Sequence, residues 1–161
     1  MTARKPPSQT GRPSADECIE FSNGTSLHIN EHGVGATFLN PRRKQLRKIR
    51  YDGCYSRAVG RGQADFIVGL SQVVDVIVEL KGSELKRALV QVEDTLEAWE
   101  KELIRFPQIV CLIVYGHTFP RMTSRLGVIE REFQLEHGTL LWIRESGSGK
   151  FKFSKLLGKS K

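Results

Sequence analysis

The clearest hydrophobic pattern in the chain is a pair of short apolar segments, at residues 64–70 (ADFIVGL) and 73–81 (VVDVIVELK). Both segments are rich in β-branched residues, which favour β-strands. Ser71 and Gln72 between them suit a tight turn. The pattern therefore predicts a β-hairpin within a buried sheet.

Alternation along the second segment divides its side chains between two faces, because successive residues of a strand point in opposite directions. The face predicted to pack on the core carries Val74, Val76, Val78 and Leu80. The opposite face carries Asp75, Ile77, Glu79 and Lys81. Asp75 lies further from the strand end and is expected to be solvated. The hairpin returns Asp65 towards Glu79, so two acids and a lysine are predicted to converge at one end of the sheet.

The segment after this hairpin has helical periodicity over residues 83–105. Ser83 is a plausible N-cap, and Pro107 ends the helix. Apolar residues recur at spacings of four and three, which puts them on one face of a helix. They are Leu85, Leu89, Val92, Leu96, Trp99 and Leu103. Residues 108–116 (QIVCLIVYG) form an almost unbroken apolar run, which is typical of a strand buried on both faces.

The remaining segments have weaker patterns. Residues 1–15 are basic and rich in Pro, Ser and Thr, and they are expected to be disordered. An Asn23-Gly24 turn predicts a small hairpin between Cys18 and Ile29. A strand is expected around 49–55, a helix is expected to end at Gly138, and a final strand pair is expected around 146–149. Together these elements predict an α/β protein with a mixed central sheet flanked by helices.

Charge and length add a candidate partner. The 161 residues suit one domain. The net charge of +7 indicates a polyanionic partner, most simply nucleic acid. Basic residues crowd residues 40–50, which form either a short helix or a loop that leads into a strand. Phosphate contact and a merely solvated surface are equally compatible with this run. The candidates for nucleic-acid binding are Arg42, Arg43, Lys44, Arg47, Lys48 and Arg50.

Cysteine usage and hydropathy bear on the cellular setting. Cys18, Cys54 and Cys111 are widely spaced and odd in number, so no disulfide framework is expected. Cys111 lies in an apolar run and is expected in the core. These features favour a reducing, cytoplasmic location. No apolar run approaches the roughly 20 residues that span a bilayer, so no membrane contact is expected.

The convergent charges suggest a specific chemistry. Mg²⁺ prefers hard oxygen ligands, and two carboxylates with a phosphate oxygen suit it. Such an ion helps to deprotonate water and shields the charge that develops on a phosphate. An adjacent amine such as Lys81 would stabilise the same charge. Asp52, in an Asp-Gly pair, is a candidate third carboxylate, although such pairs more often form turns.

The order of elements over residues 49–116 resembles the PD-(D/E)xK nuclease superfamily, in particular its small bacterial, phage and plasmid members. Asp65 matches the motif aspartate, and Glu79-Leu80-Lys81 matches (D/E)xK. Ala64 stands where proline is common. The resemblance implies a restriction-endonuclease-like core, with Mg²⁺ or Mn²⁺ on Asp65 and Glu79 and with Lys81 as the catalytic lysine. The single nuclease-like domain is expected to cover residues 16–161, although its parts outside 49–116 rest on no match.

The same resemblance suggests further site residues. Gln91 lies on the helix after the motif, where some subfamilies place a functional glutamine. An upstream glutamate is common in the family, and its candidates here are Glu17, Glu20 and Glu31.

Two functions follow as expectations. The first is metal-dependent phosphodiester hydrolysis of nucleic acid, as a DNA endonuclease. The alternative is a catalytically inert protein of the same fold that binds nucleic acid or a partner protein. A third, weaker class is a basic structural protein whose motif match is accidental. A homodimer is left open by the sequence.

Overall fold

The computed structural model describes residues 14–81, 84–116 and 125–158, without the side chains of Lys81 and Ser148. The described residues form nine strands and three α-helices. In chain order these are β1 (Ile19–Ser22), β2 (Ser26–Glu31), β3 (Val34–Leu39), β4 (Leu46–Arg50), β5 (Phe66–Leu70), β6 (Val74–Lys81), α1 (Leu85–Trp99), β7 (Gln108–Tyr115), α2 (Leu126–His137), β8 (Leu141–Glu145), β9 (Lys150–Lys152) and α3 (Phe153–Leu156).

The strands form two sheets. The larger sheet has the order β1-β4-β5-β6-β7-β8. Its first three pairings are antiparallel, whereas β6–β7 and β7–β8 are parallel. The smaller sheet has the order β2-β3-β9. The protein is therefore an α/β structure built on a mixed sheet.

The larger sheet is covered on both faces. Phe38 of the smaller sheet packs in one core cluster with Val76 and Leu112 of the larger sheet. On the other face, Ile77 packs with Val92 of α1 in a second cluster. Both faces of β6 are thus core faces, whereas alternation in the sequence indicated only one.

The structure confirms the elements that the hydrophobic pattern predicted for the centre of the chain. β5 and β6 form the predicted antiparallel hairpin, with Gln72 at positive φ in its turn. β7 is buried from Val110 onward. α2 ends at Gly138, which adopts the left-handed conformation at φ 66°. Cys111 is fully buried, and burial raises the pKa of its thiol.

The observed helix α1 is shorter than the predicted helix over residues 83–105. α1 ends at Trp99, and Leu103 is fully exposed. After Trp99 the chain continues in turns, and the buried Phe106 donates its backbone N–H to Asp75 of β6 at 2.8 Å.

The predicted Asn23-Gly24 hairpin and the predicted final strand pair are both wrong. β1 pairs with β4 and β2 with β3, so the strands on either side of Asn23-Gly24 belong to different sheets. Likewise β8 pairs with β7, whereas β9 pairs with β3. Turn signals are local, and they do not specify which long-range partner a strand will find. The basic run is resolved as a loop that leads into β4.

Asp75 is fully buried, and the prediction that it is solvated is wrong. Its carboxylate accepts hydrogen bonds from Arg47 Nη2 at 2.9 and 3.0 Å. It also accepts hydrogen bonds from Trp99 Nε1 at 2.9 Å and from the Phe106 backbone N–H at 2.8 Å. Burial of this charge is possible because each partner is a fixed donor.

The Arg47 side chain is therefore buried in the core, where it binds Asp75, so it does not have its predicted role in phosphate contact. Its guanidinium also donates to the Ile104 carbonyl at 2.7 Å and lies 3.9 Å from the Phe106 ring centroid. Gly69 leaves room for this arrangement. A Cβ there would lie 2.5 Å from Asp75 Oδ1 and 2.7 Å from the Phe106 ring.

Cys18 and Cys54 form a disulfide, so the expectation that the cysteines form no disulfide framework is wrong. The bond joins the short 3-10 helix before β1 to the loop after β4. The sequence alone does not predict this disulfide, because it depends on β1 lying beside β4. It also removes the cysteine argument for a reducing compartment.

We expect Arg47→Met to lower the free energy of unfolding by about 3–5 kcal/mol, because it leaves the Asp75 carboxylate buried without its counter-charge. Urea denaturation would measure the change. The matched control is Lys48→Met on the same strand, whose ion pair with Glu20 at 3.0 Å is partly exposed and is worth at most about 1 kcal/mol. Equal losses in the two variants would contradict a special role for the Arg47–Asp75 pair.

Candidate functional site

A polar pocket of about 460 Å³ lies at the end of the larger sheet where β5 begins and β6 ends. It contains five of the candidate site residues, one of them the upstream glutamate Glu31, and other residues complete it. Its lining residues are Glu31, His32, Val34, Asp52, Asp65, Glu79, Leu80, Glu84, Arg87 and Gln91.

Asp65 and Glu79 are neighbours across the β5–β6 pair. Phe66 is opposite Val78 in the antiparallel register. Continuing that register by one residue sets Asp65 opposite Glu79, on the same face of the sheet. Asp65 Oδ2 accepts a hydrogen bond from the Leu80 N–H at 2.8 Å, which ties the two strands together at this point. Glu79 is only 1% exposed.

The segment before β5 is held in place by α1. The Thr95 hydroxyl accepts a hydrogen bond from the Ala64 N–H at 2.8 Å. Gly62 approaches the helix so closely that a Cβ there would lie 2.9 Å from Gln91 Cα. The Gly62 N–H donates to Asp94 Oδ2 at 2.7 Å. These contacts fix where Asp65 enters the sheet.

Asp52 occupies an exposed turn at the pocket mouth, just after β4. The turn is anchored on both sides, since the Tyr51 N–H donates to the Asp65 carbonyl at 3.0 Å and Cys54 is in the disulfide. Burial raises the pKa of the Tyr51 hydroxyl. The Asp-Gly pair thus forms a turn, and the turn brings a third carboxylate to the pocket.

Gln91 contacts the buried carboxylate directly. With its side-chain amide oriented so that the nitrogen faces acceptors, Gln91 donates to Glu79 Oε1 at 3.2 Å and to the Arg87 carbonyl at 3.3 Å. The helix position that the sequence singled out is therefore next to the strand carboxylate.

The turn between β2 and β3 contributes Glu31 and His32 from the smaller sheet. His32 and Gly33 have positive φ values of 48° and 80°, as a two-residue hairpin turn requires. His32 Nε2 lies 3.3 Å from Glu31 Oε1. Of the three upstream glutamates considered, Glu31 alone is in the pocket lining. Glu20, on the edge strand β1, pairs with Lys48 of β4, and Glu17 lies in the 3-10 helix before β1.

The predicted lysine is only partly described. The backbone of Lys81 ends β6, in register with Tyr115 of β7. Its side chain lies outside the described part of the structure, as do Ser83 and His117 and most of the predicted disordered tail.

The pocket is acidic although the chain as a whole carries a charge of +7. Among the described residues that line it, five carboxylates face one arginine and one histidine. Carboxylates gathered in a partly enclosed space repel one another. A cation would relieve that repulsion.

The donor set fits a hard divalent cation. Asp65 and Glu79 offer adjacent carboxylate oxygens, which Mg²⁺ and Mn²⁺ accept as ligands. Asp52 lines the same pocket but does not join them in a compact group, since the described residues with three ligand atoms within 4.8 Å of one another lie elsewhere. Two protein carboxylates with several waters is a usual arrangement for Mg²⁺.

That compact group consists of Glu93, Glu136 and His137, between α1 and the end of α2. His137 Nε2 lies 3.6 Å from Glu93 Oε1 and 3.9 Å from Glu136 Oε2. Sequence analysis missed it because its members come from two helices. The distances match ion pairs at a partly exposed surface.

The predicted basic residues do not gather at this pocket. Arg42, Arg43 and Lys44 precede β4, whose first residue pairs with Leu70 at the other end of β5 from Asp65. Lys48 is paired with Glu20. Arg50 is exposed at the end of β4 nearer the pocket.

Sequence reasoning missed His32, Glu84 and Arg87. Arg87 had a signal, because it precedes Gln91 by one helical turn and therefore shares its face. The sequence contains no such signal for His32, since its position in the pocket depends on how the smaller sheet packs on the larger.

No family model, curated protein or solved structure matches the chain significantly. No α-helix among the described residues is long and apolar enough to cross a membrane.

We expect Mn²⁺ or Ca²⁺ to raise the melting temperature of the protein, since a ligand that binds only the folded state at 100 times its Kd adds about 2.7 kcal/mol. Asp65→Asn and Glu79→Gln should abolish the shift measured by differential scanning fluorimetry. Glu93→Gln is the control, because it alters the other carboxylate group. A shift lost only in Glu93→Gln would place the ion at that group instead.

Proposed function

We propose that this chain is a metal-dependent nuclease that hydrolyses phosphodiester bonds, with DNA as its substrate and with a core of the restriction-endonuclease type. The observation that carries the proposal is the acidic pocket in a basic protein, where Asp65 and Glu79 meet at one end of an antiparallel hairpin. A solvated strand end would not require a glutamate that is 1% exposed.

The surrounding sheet order supports the same proposal. The two acids lie on an antiparallel hairpin, and β6 continues through α1 into the parallel strand β7. This is the element order on which the resemblance to PD-(D/E)xK nucleases rests. An accidental Glu-x-Lys tripeptide would not require Asp65 to bind the backbone of the same strand end.

The chemistry assigns a role to each group. Asp65 and Glu79 would hold the ion, and Gln91 would orient Glu79 through its hydrogen bond. Bound Mg²⁺ or Mn²⁺ would lower the pKa of a water and shield phosphate charge. Lys81, two residues beyond Glu79, would stabilise the negative charge that develops on the phosphate. The fixed hairpin provides the precise positioning that such a site needs.

Cleavage of labelled DNA tests this proposal. We expect the purified protein to cut DNA with Mg²⁺ or Mn²⁺ and to stop when EDTA is added. Asp65→Asn, Glu79→Gln and Lys81→Ala should each reduce the rate at least about 100-fold, because each removes charge stabilisation in the transition state. Glu97→Gln, on the exposed side of α1, is the matched control and should cut normally.

Substrates of several kinds separate the alternatives. Duplex, single-stranded and branched DNA should be assayed beside RNA. Binding without cleavage of any of them would favour the inert nucleic-acid-binding protein. Cleavage that persists in Glu79→Gln would show that another site or a contaminant is responsible.

A further inference from the structure

A second pocket lies at the opposite end of the sheets from the carboxylates. Its volume is about 810 Å³. It opens where β3, β5 and β9 present their end residues Leu39, Leu70 and Lys152. Asp65 and Leu70 are five residues apart along β5, so the two pockets are separated by about 17 Å.

The pocket combines cations with an apolar floor. Arg42 and Lys44 come from the basic loop before β4, and Lys152 comes from the far end of the chain. Lys152 reaches this place because β9 pairs with β3, which sets it beside Leu39. The apolar part of the lining, here called the floor, includes Leu39 and Leu70. No carboxylate occurs among the described residues that line it.

The basic loop is held in a fixed conformation. Asn40 is 4% exposed, and its side-chain amide donates to the carbonyls of Gly24 at 2.8 Å and Lys44 at 2.7 Å. Its Oδ1 accepts the Lys44 N–H at 3.2 Å. The backbone that carries Arg42 and Lys44 is thus anchored before any ligand arrives, which reduces the entropy cost of binding.

We propose that this second pocket binds one unpaired nucleotide of a nucleic-acid strand, with its phosphate on Arg42, Lys44 and Lys152 and its base against Leu39 and Leu70. The cations match a phosphate. The apolar floor matches a base that is free of its pairing partner. The volume suits a single small ligand, since such pockets measure about 300–1,000 Å³. A duplex would offer phosphates but would leave the floor uncovered.

The choice of nucleic acid as the ligand rests on the proposed function. A strand that runs over the surface from this pocket to the carboxylates would span at least about 17 Å, or at least roughly five nucleotides at the stacked rise of 3.4 Å. The pocket would thus hold the strand several nucleotides away from the point of cleavage.

The phosphate contact can be tested without any cleavage. The probe is a fluorescent thymidine oligonucleotide of about ten nucleotides, and its binding is measured by anisotropy in EDTA over a range of salt concentrations. We expect Lys152→Ala to weaken binding and to reduce the salt slope by about 0.7, the contribution of one phosphate on a single strand. Lys101→Ala removes the same charge after α1 and should leave the slope unchanged. Equal slopes in the two variants would overturn the proposal.

The base contact has its own test. An abasic oligonucleotide of the same length keeps every phosphate, and we expect it to bind the wild type several-fold more weakly. A blunt-ended duplex and free thymidine monophosphate should also bind more weakly than the strand. Abasic or paired DNA that bound equally well would show that no base enters the pocket. Tighter binding of the free nucleotide would identify a different ligand.

The outcomes distinguish this proposal from the nuclease proposal. Loss of binding in Lys152→Ala without cleavage by the wild type would support the nucleotide pocket and contradict the nuclease. Cleavage by the wild type with an unchanged slope in Lys152→Ala would do the reverse.

Discussion

The buried ion pair between Arg47 and Asp75 determines how the parts of this protein fit together. It joins β4 to β6, and the remaining acceptor capacity of Asp75 is used by the end of α1 and by Phe106 before β7. Four segments therefore depend on one carboxylate. A charge in that position is costly unless every partner is present, so the network couples the ends of these segments. It also fixes the strand that carries Glu79, four residues further along β6.

The central elements were predictable because their signals are local and strong. The β5–β6 hairpin, α1 and β7 each have a hydrophobic period that continues over many residues. It was harder to predict which side chains of these strands are buried. Asp75 follows the alternation of a surface residue, and only its donors, which come from distant segments, explain why it is buried. Arg47 similarly looked like one of several surface cations until its partner was known.

The residues of the candidate site likewise fall into those that local sequence patterns predict and those that long-range contacts determine. Asp65 and Glu79 were predicted from spacing on one hairpin, where sequence distance limits spatial distance, and Gln91 was predicted from the resemblance to the nuclease superfamily. Glu31 and His32 reach the pocket through packing of the smaller sheet on the larger. The disulfide between Cys18 and Cys54 depends on β1 lying beside β4. Contacts of this kind arise from long-range strand pairing, which short sequence patterns do not encode.

The distribution of charge links the two pockets into one physical argument. A net charge of +7 attracts a polyanion to the surface, yet the pocket with Asp65 and Glu79 is acidic and would repel a phosphate on its own. A metal ion reverses that local sign, whereas the pocket with Arg42, Lys44 and Lys152 attracts phosphate without help. A strand would therefore be held first at the basic end of the sheets. If the proposed functions hold, its approach to the carboxylates would then depend on the ion, and binding and hydrolysis would be controlled at opposite ends of the sheets.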